Sequence, residues 1–183
     1  MRPIFQYYHD ILSKDECEYL IEYSKDKLEP SKVDGGAAPK YSLRRSKVTW
    51  IGSDSEKECN DIVSKVVDMM FYESIATHSE EISEIERIQL SKYGLLDHYS
   101  NHIDLSYNGP YRILSGVVEL SNPSDYIGGG LSVYIAGKKH NVPLKQGSVV
   151  FFPSILTHKA KTVFAGSRYS LALWGRKKVN IES

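Results

Sequence analysis

His102 and Asp104, written His-Ile-Asp, stand in a strand-like stretch, and a second histidine, His158, follows another apolar run. Side chains on a β-strand alternate with period two, so His-x-Asp on a strand presents both groups on one face. A histidine from a separate strand would complete a set of two imidazoles and one carboxylate. Such a set occupies three facial positions of an octahedral Fe(II) and leaves three open for reactants. His-x-Asp alone is weak evidence, because two polar residues on a strand can simply face water. The surroundings of His158 add to it. Val149-Val150-Phe151-Phe152 reads as a buried strand, Pro153-Ser154 breaks it, and His158 falls where the chain re-enters a barrel mouth. His140 lies in Lys138-Lys139-His140-Asn141, a charged hairpin-like segment, and is rejected as a ligand.

Downstream of His158 comes Arg168-Tyr169-Ser170-Leu171-Ala172-Leu173-Trp174, a strand in which Arg168 and Ser170 share a face. A guanidinium turned into a barrel needs an anion to offset its desolvation. A dicarboxylate bound through both oxygens of one end would supply it. The competing reading is an arginine that opens a strand at the surface.

The elements that must position these residues fall into two halves. Ser13 and Glu16 form a capping-box pattern, which predicts a helix to about Leu28. A second helix is expected from about Ser55 to Ala76, with Ile62, Val66, Met69, Met70 and Glu73 at helical spacing. Between them, Glu29 to Arg45 carries prolines, Gly35-Gly36 and the bases Lys32, Lys40, Arg44 and Arg45. It reads as a long mobile loop, solvated by default and a candidate lid over the metal mouth. A short strand, Ser46 to Ile51, follows it. From Glu86 onward, short β-rich segments alternate with glycine-rich turns: Arg87 to Tyr93, His98 to Asp104, Arg112 to Leu120, Leu131 to Ile135, Ser148 to Phe152 and Arg168 to Gly175. Helices first and strands after predict an α+β fold, a jelly roll with N-terminal helices packed on one sheet.

The chain of 183 residues fits one domain, 1–183, with mostly helical support over 1–85 and a β core over 86–176. Lys+Arg and Asp+Glu are both 23, so no overall charge draws the chain to nucleic acid or an anionic membrane. No apolar run is long enough for a bilayer, and Met1-Arg2-Pro3-Ile4-Phe5-Gln6 lacks a secretory signal core. Cys17 and Cys59 sit on separate expected helices and read as buried free thiols of a cytoplasmic protein.

Five stretches together carry a resemblance. They are Phe5 to Ile21; Arg45-Ser46-Lys47-Val48-Thr49-Trp50; Tyr93 with Tyr99-Ser100-Asn101-His102-Ile103-Asp104; Leu120 to Tyr126 with Gly129-Gly130-Leu131; and Gly147 to Phe152 with His158, Gly166, Arg168 and Trp174. The chain resembles the Fe(II)- and 2-oxoglutarate-dependent dioxygenases of the prolyl 4-hydroxylase-like group, PKHD-type hydroxylases included. The resemblance implies a double-stranded β-helix, cupin-like core. It implies that His102, Asp104 and His158 bind iron and that Arg168 holds the distal carboxylate of 2-oxoglutarate. Tyr93 matches a tyrosine that hydrogen-bonds the cosubstrate, Tyr99 one that lines the site, and Ser170 a support for Arg168. Fe(II), 2-oxoglutarate and dioxygen are the implied cofactors, with ascorbate a candidate addition. Two departures stand out. Glu119 replaces a frequent aromatic residue, and Gly130 stands where a glutamate is usual.

The implied activity is hydroxylation of an unactivated C–H with decarboxylation of 2-oxoglutarate to succinate. A peptidyl proline leads as substrate, and a free amino acid or other small metabolite is the alternative. Ser170 and Ala172 break the Arg-x-Asn-x-Thr-x-Arg pattern of nucleic-acid demethylases. A cupin-like binding module without activity is the reading from another class. The sequence leaves the oligomeric state open.

Overall fold

The computed structural model describes residues 4–32, 42–52, 56–77, 81–105, 111–143 and 145–177. Its strands are β1 (Gln6–Tyr8), β2 (Glu29–Pro30), β3 (Arg44–Arg45), β4 (Lys47–Ile51), β5 (Glu84–Ile85), β6 (Ile88–Tyr93), β7 (His98–His102), β8 (Tyr111–Glu119), β9 (Tyr126–Gly128), β10 (Leu131–Ile135), β11 (Lys138–Asn141), β12 (Val149–Pro153), β13 (His158–Ala160), β14 (Val163–Gly166) and β15 (Arg168–Lys177). Helices α1 (Lys14–Ser24) and α2 (Lys57–Ala76) precede the main run of strands. The larger sheet is ordered β1-β12-β8-β15-β6-β4-β2, with β5 on β15, and the smaller β11-β10-β13-β7-β3. A β14-β9 ribbon stands apart from both. The fold is the expected α+β jelly roll, a double-stranded β-helix with helices on one sheet.

The expected capping box starts α1. The Ser13 backbone N–H donates to Glu16 at 2.8 Å, and the Glu16 N–H donates to Ser13 Oγ at 3.2 Å. These bonds satisfy helix-start donors that otherwise lack partners. The helix ends at Ser24, short of Leu28, with Lys25 as its cap. Helix α2 buries Cys59, Ile62, Val63, Val66 and Met70 against the larger sheet, with Leu90, Val118, Phe151, Leu171 and Leu173 in the same cluster. Gly116 on β8 permits this approach. A Cβ there would lie 2.9 Å from Phe151 and 3.0 Å from both Leu173 and Met70. Glu73 is also buried on that face and accepts a hydrogen bond from the Tyr8 hydroxyl.

Gly147 fixes the way the chain enters β12. Its φ of +77° suits glycine, and an added Cβ would sit 2.0 Å from the Leu12 carbonyl oxygen. The Gly147 carbonyl accepts from the N–H groups of both Ile11 and Leu12, tying the α1 entry to the sheet.

The expected strand at 46–51 is β4, but the rest of the first third needs correction: β1 lies before α1, and both ends of the expected 29–45 loop are strands, β2 and β3. Strands β1, β2 and β3 have two or three residues, so local periodicity cannot announce them. The centre of that stretch, including the lid reading of Asp34 to Pro39, falls outside the described residues.

Candidate metal and cosubstrate site

Strands β7 and β13 are antiparallel neighbours, and His102 and His158 are directly opposed in their register. Their rings lie 4.1 Å apart between centroids. Strand β7 ends at His102, so Asp104 follows the strand and does not belong to it, as the His-x-Asp reading had expected. It is held in place all the same. The Asp104 N–H donates to the Ser154 carbonyl at 2.9 Å, and the Ser115 hydroxyl donates to Asp104 Oδ2 at 2.7 Å. Ser115 is in turn 2.9 Å from the Ser154 hydroxyl.

The donor atoms converge. His102 Nε2 is 3.5 Å from Asp104 Oδ1, and His158 Nε2 is 3.3 Å from Asp104 Oδ2. All donors of the trio lie within 4.8 Å of one another. Cis donors about 2.1 Å from one octahedral metal would be about 3 Å apart, so the trio fits a first-row ion. The imidazoles are set for it. His102 Nδ1 is 2.8 Å from the Ser100 carbonyl, and His158 Nδ1 is 2.9 Å from the Leu156 carbonyl. A proton on each Nδ1 leaves each Nε2 lone pair for the metal.

The electrostatics agree. Burial, reinforced by neighbouring His158, pushes the His102 pKa down to about 4, so the ring is a neutral donor. Burial alone would raise Asp104, but His158, His102 and the Ser115 hydroxyl hold its carboxyl well below the usual range. Burial opposes a charge on His158, and the Asp104 carboxylate outweighs it and raises that ring.

One cavity is lined by the trio and by Tyr93, Tyr99, Arg168 and Ser170. Tyr99 stacks on His102, with centroids 3.5 Å apart and planes 14° apart. Tyr93 pairs with Arg168 across β6 and β15, and the guanidinium carbon lies 5.7 Å from its ring centroid. Phe152 packs edge-on to His158 at 4.8 Å, within the apolar cluster of Leu131, Val133 and Val150. Trp50, half-exposed on β4, is 6.4 Å from Trp174 in the cavity wall. His140 is exposed on β11, as expected. His98 directs Nδ1 toward the Leu96 carbonyl and stands outside the trio.

Arg168 is 2% exposed and Glu119 0%. Arg168 Nε donates to Glu119 Oε2 at 2.9 Å, and Nη2 lies 2.8 Å from the same oxygen. The protein therefore supplies a counter-ion that the sequence reading assigned to a cosubstrate alone. Glu119 braces the Arg168 guanidinium, and Ser170 lines the same cavity. Burial raises the Glu119 carboxyl pKa, against the pull of Arg168. Tyr126 adjoins the pair, and burial and Glu119 push its phenol up to about 12. Glu119 engages the Nε and Nη2 edge, and the Tyr126 side chain also hydrogen-bonds the guanidinium. A buried guanidinium lining the cavity of the trio fits an anionic cosubstrate as well as a metal.

Arg44, Ser115 and Ser154 escaped the sequence reading. Arg44 was legible only as part of a basic loop. It is buried on β3 and lines the same cavity.

Residues 88–176 match the family model of the 2OG-Fe(II) oxygenase superfamily. A PKHD-type hydroxylase of Synechococcus sp. (strain CC9311) is 25% identical over 176 residues, covering 94% of this chain and 78% of the relative. A Pseudomonas putida prolyl-4-hydroxylase has the same fold, with a TM-score of 0.78 at 18% identity, over 96% of this chain and 94% of that one. So does a Trichoplax adhaerens prolyl hydroxylase solved with a hypoxia inducible factor peptide fragment, at TM-score 0.78 and 20% identity, over 94% and 83%. The chain is a prolyl 4-hydroxylase-like oxygenase that uses Fe(II), 2-oxoglutarate and dioxygen. Among the described residues no helix is long and apolar enough to cross a membrane.

Proposed function

We propose that the chain hydroxylates an unactivated C–H of a peptidyl residue, proline foremost. His102, Asp104 and His158 hold the iron, and Arg168 holds the distal carboxylate of 2-oxoglutarate. The observation that carries this reading is the single cavity lined by both the trio and Arg168. Bound Fe(II) supplies the oxidising chemistry: one oxygen atom of dioxygen enters the substrate as hydroxyl, and the other enters succinate as carbon dioxide leaves.

The chain's residues bind and orient. The carbonyls of Ser100 and Leu156 fix the imidazole tautomers, and Ser115 aims the Asp104 carboxylate. Tyr93 and the Arg168 fork define where the cosubstrate's far end lies. Phe152 and its apolar neighbours keep water from the His158 side. The peptide preference draws support from the two prolyl hydroxylase structures of the same fold, one of which carries a peptide.

The test is succinate formation from 2-oxoglutarate with Fe(II) and ascorbate, screened over proline-containing peptides and free amino acids. Peptide-stimulated succinate and a hydroxylated peptide, both lost in His158→Ala, are expected. Metal-loaded protein that forms no succinate with any of them would refute the reading.

A further inference from the structure

Arg44 is a second buried guanidinium in the cavity of the trio. It is 8% exposed, and its side-chain hydrogen-bond partners among the described residues are neutral. Nε donates to Ser46 Oγ at 3.0 Å, and Nη2 donates to Gln89 Oε1 at 2.7 Å and to Ser91 Oγ at 3.4 Å. Its guanidinium carbon lies 4.7 Å from the centroid of Tyr99, the ring that stacks on His102. No carboxylate among the described residues pairs with it. Its neighbour Arg45 does have one, Asp97 at 3.0 Å.

Burying a guanidinium without an anion is unfavourable by several kcal/mol. Arg168 meets that demand with Glu119. Among the described residues Arg44 has no such counter-ion, and their neutral groups engage its Nε and Nη2 edge. These bonds join the two sheets: Arg44 is on β3 of the smaller, and Gln89 and Ser91 are on β6 of the larger. The guanidinium is thus held rigidly at the cavity, where a planar carboxylate can meet it.

Taking the proposed hydroxylase reading as its basis, we infer that Arg44 binds a carboxylate of the substrate and places the reacting carbon over the metal. The substrate is therefore an acid. Its carboxylate belongs either to a free amino acid or to a peptide, at the C-terminus or on an acidic side chain beside the target residue. The cosubstrate's own carboxylates are accounted for at the metal and at Arg168.

Anaerobic calorimetry on the Fe(II)- and 2-oxoglutarate-loaded protein tests this without turnover. The probes are free proteinogenic amino acids against their amides, proline peptides with free against amidated C-termini, and amidated peptides with Glu against Gln beside proline. Acids should bind about ten- to a hundredfold tighter than their neutral counterparts in one of these pairs, and that pair identifies the source. Arg44→Gln should erase the difference, and Arg44→Lys, which keeps the charge, should retain part of it. A separate titration of 2-oxoglutarate locates any loss. Acids and amides that bind alike, discrimination that survives Arg44→Gln, or a loss that falls on 2-oxoglutarate would overturn the inference. Where Arg44→Gln does not fold, a folded Arg44→Lys with no preference for acids would overturn it as well. Neutral probes that bind as tightly as the acids in every pair and stimulate succinate formation would sink the inference and leave the hydroxylase reading standing, whereas absence of succinate with every probe would sink that reading.

Discussion

Replacing Glu119 by glutamine removes the negative half of a buried ion pair and leaves Arg168 facing a neutral amide. Arg168 is 2% exposed, so water cannot take over as counter-charge. Breaking a buried pair from one side typically destabilises by about 3–5 kcal/mol, a large part of the roughly 5–15 kcal/mol that holds a domain folded. Without cosubstrate, Glu119→Gln should therefore lower the urea midpoint markedly. With 2-oxoglutarate, the distal carboxylate becomes the main counter-ion of Arg168 and part of the loss should return. Glu119 competes for the same guanidinium, so its removal should also tighten cosubstrate binding, by about tenfold or more if one charge-assisted hydrogen bond strengthens. Urea titrations of the metal-loaded protein under nitrogen, with and without 2-oxoglutarate, measure both effects. Glu119→Leu combined with Arg168→Met should recover stability, because apolar replacements often match a buried pair, and should lose all response to 2-oxoglutarate. Equal destabilisation with and without cosubstrate, at unchanged cosubstrate affinity, would show that Arg168 does not serve it.

Arg168→Ala should raise the 2-oxoglutarate concentration needed for succinate formation steeply, while Mn(II) binding, read by electron paramagnetic resonance, stays close to wild type. Ser115→Ala removes the hydroxyl that aims Asp104, and metal affinity should fall about 10–100-fold in the same titration with the far-ultraviolet spectrum unchanged. Burial pushes the thiols of Cys17 and Cys59 up to about 12 and about 11, so a thiol-exchange reagent at neutral pH should label neither until the protein unfolds. The Cys17 thiol is held protonated in the folded state, so its contribution to stability is complete below the ordinary value of 9.0 and lost as pH rises toward 12. Melts across that range should show the decline.

The chemistry was more legible in the sequence than its setting. His102, Asp104, His158 and Arg168 stand out because their types are costly to bury and their spacing suits strands. The capping box at Ser13 and the apolar face of α2 are local patterns, and both appear as expected. Arg44 could not be singled out, because it stands beside Arg45 in a stretch that also carries Lys32 and Lys40. Its surroundings come from Gln89 and Ser91, 45 and 47 residues away. Glu119 is visible as an odd residue, yet its partner is 49 residues distant. Strands β9 and β14 pair with a register shift, and β13 has another beside His158, so alternation along the chain does not reveal them. Asp104 lies past the end of β7 and needs Ser115 and Ser154, from other segments, to reach its position.

The two histidines differ from Asp104 in what braces them. Each imidazole leans on the carbonyl two positions earlier in its own chain segment, Ser100 for His102 and Leu156 for His158. A backbone carbonyl is present whatever side chain occupies that position. Natural variation at Ser100 or Leu156 therefore leaves the brace available, and the two nitrogen donors are buffered against drift. The carboxylate arm enjoys no such insurance, since a hydroxyl at Ser115 can be deleted by one substitution. Descendants of this sequence that retune their metal centre would be expected to do so from the Asp104 side, with the histidines kept as the fixed frame.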